Sequence, residues 1–480
     1  ICDFWGQSLD MMWAKTFDSN GGLGGAIWGM IDETFMLPEN LEGFRDWWGI
    51  NDNTVLPYKG TTVGYGDWGI VDVWRRKKPE FWNTKKAYSP IKIVNTTLEN
   101  YKEGAPVEIP IYNRFDHTNL NEITVKYTYK DSITEIPGAN IEPHAKGKLL
   151  LPIPNWENDK KIAIDFFDVK DNLVDSYILS QKIEEAIKSD IDGNSNDGKV
   201  SFTDSSTELV VHIAKGDLLF DKKTGLLKTV EINGAKVNAS GPYLNYRIKG
   251  DQLTYSSNHV ATFGDVENWK SSSFSYKLDG NILVMNLKGS YNKIKVSFEI
   301  RIAANGKIST SYNYNNLPKG NVREVGVKYN IDPVFDALSW NRETYWTAYP
   351  KDHLSAPQAE IPLYSKITNT YKEAPNKPWN NDSKSFYYQG TANENSRDLT
   401  RIAKATKEHI NEYALLSEGE KWVSVCGHGD VSCRLAKNGN SLDLYLNNEI
   451  DYIDLNWGNY QRNMILEGEY NGKVDFYINP

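Results

Sequence analysis

Gly24-Gly25-Ala26-Ile27-Trp28-Gly29-Met30-Ile31, closed by Asp32-Glu33, is apolar on both faces. Such continuity is expected of a strand buried between a barrel interior and a layer of helices, where the usual period-two alternation disappears. Upstream, Leu9, Met12, Trp13 and Phe17 fall at helical spacing and predict an amphipathic helix over residues 7–18, stopped by Asn20-Gly21-Gly22. Downstream, residues 37–70 read as a long loop rich in Trp, Gly and Asp. Pro79 then opens a second predicted helix that runs to Tyr88 and ends at Ser89-Pro90. Helix, strand, long loop and helix in this order predict the C-terminal part of a (β/α)8 barrel over residues 1–93. A whole barrel needs roughly 250 residues and collects its chemistry at the C-terminal ends of several strands. The earlier strands are therefore expected to lie outside this chain.

From Ile91 the period becomes two. Val107, Ile109 and Ile111 alternate with polar residues, as do Ile123, Val125 and Tyr127, then Ile162, Ile164 and Phe166. These runs predict a β-sandwich over residues 94–187, with a short helix from Gln181 to Ser189. Residues 188–206 are rich in Asn, Asp, Gly and Ser and read as a linker. Residues 207–480 are strand-rich again. Phe274–Leu278 is expected to turn at Asp279-Gly280 into Ile282–Leu287, and Ile294–Ile302 at Asn305-Gly306 into Ile308–Tyr312. Long hairpins of this kind build a large two-sheet sandwich. No internal repeat of fixed period is present, and no segment is biased enough to read as disordered.

At 480 residues the chain is expected to hold about three domains, and the fold class is multidomain and mainly β. The net charge of −9, with signs interleaved, argues against a nucleic-acid partner, which would want a basic face. No run of 18 apolar residues predicts a membrane span. The chain starts at Ile1 without a basic or apolar leader, so the expectation is that its true N-terminus was removed. The unusual quantity is aromatic content, 15 Trp and 28 Tyr, which suits contact with the apolar faces of sugar rings as well as ordinary core packing. Cys2, Cys426 and Cys433 imply no even disulfide framework and no paired metal-ligand spacing, although a Cys426–Cys433 bridge is open in an oxidising compartment.

Gly24–Asp32, then Gly64-Tyr65-Gly66-Asp67-Trp68-Gly69-Ile70-Val71-Asp72, then Arg75-Arg76-Lys77-Lys78-Pro79-Glu80-Phe81-Trp82, resemble the end of the barrel in β-galactosidase-like members of glycoside hydrolase family 2. The domain order is similar as well. In that family an immunoglobulin-like β-sandwich follows the barrel, and a β-galactosidase small-chain-type β-sandwich closes the chain. The resemblance implies a retaining exo-β-glycosidase that removes terminal β-linked sugars with two glutamates, one attacking the anomeric carbon while the other protonates the leaving oxygen. By the same resemblance both glutamates lie upstream of Ile1, so no catalytic residue is assigned within the chain. Cys2-Asp3-Phe4 is similar to a Cys-Glu-Tyr run around such a nucleophile. The spacing to Trp13 is too short for that role, and Asp lacks the reach.

The resemblance implies substrate-binding roles for Trp28, stacking on the glycone sugar, and for Trp47, Trp48 and Trp68 in the loops beyond it. Asp32 and Glu33 end the strand on opposite faces, so they cannot both flank one bond, although either is a candidate to contact sugar hydroxyls. Trp457, within Asn456-Trp457-Gly458-Asn459-Tyr460, is the candidate for a loop of the final domain that returns to the active site. The family's Gly-x-Gly-Pro segment is replaced here by Trp340-Asn341-Arg342-Glu343-Thr344-Tyr345-Trp346, and Asp67 and Val73 replace an expected Pro and Gly. The sugar therefore stays open among β-galactosides, β-glucuronides and algal galactans.

No metal ligand is assigned. Asp197–Asp204 is similar to the second half of a Ca²⁺ loop, but Asp192, Asn194 and Asn196 fall one residue early. The Mg²⁺ ligands that the resemblance implies would lie upstream. The expected partners are the carbohydrate substrate and a barrel half, in the same gene product or a second chain, with a homo-oligomer left open. Polysaccharide-degrading relatives imply a periplasmic or secreted location. The rival reading is a non-catalytic carbohydrate-binding or assembly subunit. An exposed planar aromatic on a sandwich face would favour binding, and a long unpaired apolar edge in residues 1–93 would favour a missing partner.

Overall fold

The computed structural model describes residues 2–36, 62–64, 69–99, 101–182, 199–232, 234–254, 257–350, 353, 355–363, 389–390, 406–450 and 464–478. The architecture is mainly β, with two leading helices, a two-sheet sandwich and a much larger sandwich-like assembly of strands.

Helix α1 (Cys2–Phe17) is the first expected helix, begun several residues earlier than its apolar spacing indicates. Helix α2 (Pro79–Ala87) opens on Pro79, where a missing N–H costs nothing, and stops ahead of Ser89-Pro90. The two helices meet through Trp13 and Tyr88, with ring centroids 4.5 Å apart.

The apolar run between them requires a correction. Residues 22–27 carry no regular structure, and Leu23 is 103%, Trp28 80% and Met30 64% exposed, so the strand expected over residues 23–31 is absent. A strand forms only where a neighbouring segment pairs with its backbone along its length. Among the described residues this run meets the short segment 69–71, with the parallel bridge of Ile31 to Val71. Thr34–Met36 then pairs antiparallel with Thr62–Gly64, and residues 37–61, where a long loop is expected, lie outside the described residues.

The smaller sandwich matches its predicted pattern. One sheet holds Ile91–Ile93, Val107–Asn113 and Lys146–Leu151. The other orders Thr97–Leu98, Leu173–Gln181, Ile162–Phe167, Thr124–Tyr129 and Ser132–Pro137. Every alternating apolar residue named from the sequence is buried between the two sheets. Each such side chain contributes roughly 1.5–3 kcal/mol before its entropy cost is subtracted. Gln181 ends a strand rather than starting a helix, because Leu179 continues the inward alternation of that strand into the core. Residues 183–190 lie outside the described residues.

The large sandwich starts earlier than its composition indicates. Ser201–Asp204 pairs with Glu208–Ile213, so the expected linker over 188–206 ends before residue 201. Polar neighbours hid Val200, which is buried in the large core, and Phe202, which packs against it. Two long strands tie the assembly together, Ala235–Thr254 with 20 residues and Lys307–Ile331 with 25. The first half of Lys307–Ile331 pairs with Ile294–Ile302 and Ile465–Ile478, and its second half with Ala235–Thr254 and Ser441–Asn448. Both expected hairpins form, with Gly280 at φ 62° and Gly306 at φ 85°, backbone conformations that favour glycine. The open Cys426–Cys433 bridge is not made. Cys433 is buried in the apolar core on one strand, and Cys426 sits on another opposite Glu412 and Asp475. Among the described residues no helix is long and apolar enough to cross a membrane.

Candidate functional site

The motif residues of the N-terminal segment assemble around two buried carboxylates. Residues 29–32 lie beside residues 70–71: the Ile70 N–H donates to Gly29 O at 3.2 Å, Val71 N–H to Met30 O at 3.0 Å and Asp32 N–H to Val71 O at 2.9 Å. Gly69 makes this approach possible, because a Cβ there would meet Asp32 N at 2.2 Å. Asp32 Oδ1 accepts the Gly69 N–H at 2.8 Å and Lys78 Nζ at 2.7 Å, with both side chains of the ion pair buried. Asp72 shapes the following turn. Its Oδ1 accepts the Trp74 and Arg76 N–H groups at 2.9 Å each, and its Oδ2 takes Arg76 Nε at 2.6 Å. Arg75 sits at the turn with φ 68°. Lys77 then lies over the Phe81 and Trp82 rings at 5.0 and 4.8 Å, and Lys78 leads into α2.

This geometry sorts the predicted residues. Trp28 presents its indole to solvent next to the paired stub, an arrangement suited to stacking on a flat apolar ligand face. Asp32 is buried in internal bonds, while Glu33 is exposed, so the adjacent carboxylates part to different environments although neither lies in a strand. They form no acid–base pair. Trp47, Trp48, Trp68 and Trp457 lie outside the described residues. The sequence reading missed Lys78 and Asp72 as organisers of this unit. Both stand inside the motif that carried the resemblance, but a basic run is ordinarily read as a solvated face, and Lys78 is 2% exposed.

Residues at one end of the large sandwich were also missed. Glu343, His409, Gly429 and Glu449 gather there, with the Glu343 N–H donating to His409 O at 2.9 Å and the His409 N–H to Glu449 Oε2 at 3.0 Å. Burial, and then the neighbouring Glu408 carboxylate, push the Glu449 carboxyl up to about 7. The signal for this cluster is spread over residues far apart in sequence, so no local motif announces it.

Two other features carry less. A groove of about 540 Å³ on the smaller sandwich has Glu99 and Glu108 at its rim, already paired with Lys182 at 2.7 Å and Lys148 at 2.5 Å. Of the Ca²⁺-like segment, residues 192–198 lie outside the described residues, and Asp204 accepts Lys222 Nζ at 2.7 Å and the Tyr276 hydroxyl at 2.6 Å.

No protein-family model matches the chain, and no curated protein matches it. Among solved structures, a galactose 1-epimerase from Lactobacillus acidophilus NCFM is 9% identical, covering 58% of this chain and 98% of that one with a TM-score of 0.25. YidC from Thermotoga maritima is 10% identical, covering 59% and 51% with a TM-score of 0.20. A copper-containing benzylamine oxidase from Hansenula Polymorpha is 7% identical, covering 81% and 77% with a TM-score of 0.24. At these scores the likenesses carry no argument about this chain.

Proposed function

We propose that the chain is the C-terminal portion of a retaining exo-β-glycosidase, β-galactosidase-like and of glycoside hydrolase family 2, acting on terminal β-linked sugars of oligo- or polysaccharides. In this reading residues 1–93 are the last part of the catalytic barrel. The acid/base and nucleophilic glutamates come from a barrel segment outside residues 1–480, and Trp28 forms one wall of the sugar pocket. The observation that carries the reading is the exposed indole of Trp28 beside the parallel contact of Ile31 with Val71, inside the motif whose residues resemble the family. Two parallel segments side by side, with apolar residues left uncovered, are what neighbouring barrel strands would offer to the rest of a barrel. The rival reading, a carbohydrate-binding subunit, receives less support. Among the described residues no tryptophan of either sandwich is exposed.

The test is hydrolysis of a panel of aryl β-glycosides by this chain alone and by this chain joined to the barrel half. The joined protein is expected to turn over at least one glycoside, and Trp28→Ala is expected to raise its KM about tenfold or more. Turnover by residues 1–480 alone would overturn the proposal.

A further inference from the structure

A charged network on the polar face of the large sheet has no part in the chemistry proposed above. Four adjacent strands contribute to it: Asn245 and Arg247 from Ala235–Thr254, Glu324 from Lys307–Ile331, Tyr445 and Asn447 from Ser441–Asn448, and Arg434 from Val431–Asn438. Their sequence neighbours Leu244, Tyr246, Val325, Leu446 and Leu435 lie in the apolar core, so the network occupies the opposite face. That face is nonetheless closed. Arg434 is fully buried, and Asn245, Arg247, Glu324, Tyr445 and Asn447 are all buried. Gly326 stands opposite both Asn245 and Asn447, and the lack of a side chain there lets the two amides meet at 2.7 Å.

The acceptors of this network are used. Glu324 takes Arg434 through both Nε and Nη2, Arg247 Nε at 3.0 Å and Asn245 Nδ2 at 3.2 Å. Asn245 Oδ1 accepts Arg247 Nε at 3.3 Å, and the Tyr445 hydroxyl accepts Arg247 Nη2 at 3.0 Å. Both guanidinium groups also lie against the Tyr445 ring, Arg434 at 3.6 Å and Arg247 at 5.1 Å. What remains is a set of donors: Arg247 Nη1, Arg434 Nη1 and Asn447 Nδ2 are buried without an acceptor. Among the described residues the charge does not close either, because two guanidinium groups face one carboxylate. Burial pushes the Glu324 carboxyl up, but Arg434 and Arg247 outweigh it and hold the group below its ordinary value, so Glu324 is ionised. The adjacent Lys328 and Asp443, 3.6 Å apart, balance each other. A buried excess positive charge with unused N–H groups is costly.

We propose that this face holds a small monovalent anion, a halide, bound among Arg247, Arg434 and Asn447 as a structural ligand. Three leftover donors, with the described acceptors of the network already used, favour an anion over a neutral sugar, whose own hydroxyl donors would need acceptors. A divalent oxyanion would replace an excess positive charge with an excess negative one. The closed face favours a small ion over a bulky carboxylate.

The test is thermal unfolding of the full chain in potassium bromide or chloride against potassium gluconate at constant ionic strength. The expected result is a saturable rise in Tm of a few degrees in bromide and chloride and none in gluconate, since a ligand that binds the folded state alone stabilises by mass action. Crystals grown in bromide are expected to show an anomalous peak beside Arg247 and Arg434. Asn447→Asp keeps the shape of the amide and supplies the missing negative charge. It should remove the halide dependence and leave the protein at least as stable in gluconate as the wild type. Arg247→Gln should remove the dependence as well, and where that variant does not fold the isosteric one decides. A wild-type Tm that follows ionic strength alone, or a halide dependence that survives Asn447→Asp, overturns the proposal.

Discussion

Glu449 is 17% exposed at its side chain and 3.9 Å from the His409 ring, yet its carboxyl is pushed up to about 7. Burial is the larger cause and the Glu408 carboxylate the next, with His409 and Arg342 pulling the other way. The sign of the consequence follows from linkage. Between an ordinary carboxyl value of 4.5 and about 7 the folded state binds the proton that the unfolded state has lost, so stability falls as pH rises across that window. Each unit of displacement corresponds to about 1.4 kcal/mol. Below the window the contribution is fully present, and above about 7 it is gone. Glu449→Gln keeps an oxygen to accept the His409 N–H and cannot ionise. It is expected to flatten stability between pH 5 and 8 and to be the more stable protein at pH 8, read as urea midpoints across that range. A wild-type midpoint that rises over the same interval would contradict the assignment.

The hairpins around Gly280 and Gly306 were legible because a turn signal and the alternation that follows it are both local, as were the two helices and the strands of the smaller sandwich. The run from Gly24 to Ile31 was not. Its composition is that of a buried strand, but strand formation depends on partners elsewhere, and among the described residues the short segment 69–71 is what approaches it. The linker failed for a related reason, since the pairing that makes Ser201–Asp204 a strand comes from Glu208–Ile213. Of the candidate site, Trp28 could be picked out by type and motif, but the ion pair behind it joins residues 46 positions apart, and no periodicity predicts that. Asp32 and Lys78 fasten the exposed run to the start of α2. Removing one charge of a buried pair typically costs about 3–5 kcal/mol. Lys78→Met is therefore expected to unfasten residues 29–32 from 69–72, and adding Asp32→Asn should recover part of the loss. Faster hydrogen exchange at the Asp32 and Val71 amides in the single variant, slowed again in the double variant, is the result that checks it. Unchanged exchange would mean the backbone contact holds without the pair.

Lys86 and Lys92 join the three parts of the chain. From α2, Lys86 Nζ reaches Asp175 Oδ1 and Ser176 O in the smaller sandwich, both at 2.6 Å, and lies 4.2 Å from the Tyr177 ring. Lys92 Nζ reaches Asp10 of α1 at 2.8 Å and Lys86 O at 2.6 Å, beneath the Trp346 ring at 4.7 Å. The large sandwich closes the junction through Tyr345, whose hydroxyl donates to Asp10 Oδ2 at 3.0 Å, and through Thr347 Oγ1, which accepts the Ile178 N–H at 3.0 Å. Burial holds the Lys92 ammonium below its ordinary value, although Asp10 opposes the shift. Both sandwiches are thus anchored to the helical segment that carries the candidate site, through buried and part-buried polar contacts, of which the lysine–aspartate pairs are screened less than surface pairs. Lys86→Met would strand the Asp175 carboxylate, which is itself buried, and should cost about 3–5 kcal/mol at the junction rather than within either core. A junction effect has its own calorimetric signature. The smaller sandwich should unfold in a separate, earlier transition while the transition of the large sandwich keeps its midpoint, and Lys86→Met with Asp175→Asn should bring the two back together. If the single variant instead lowers every transition equally, the lysine stabilises the protein as a whole and does not couple its parts.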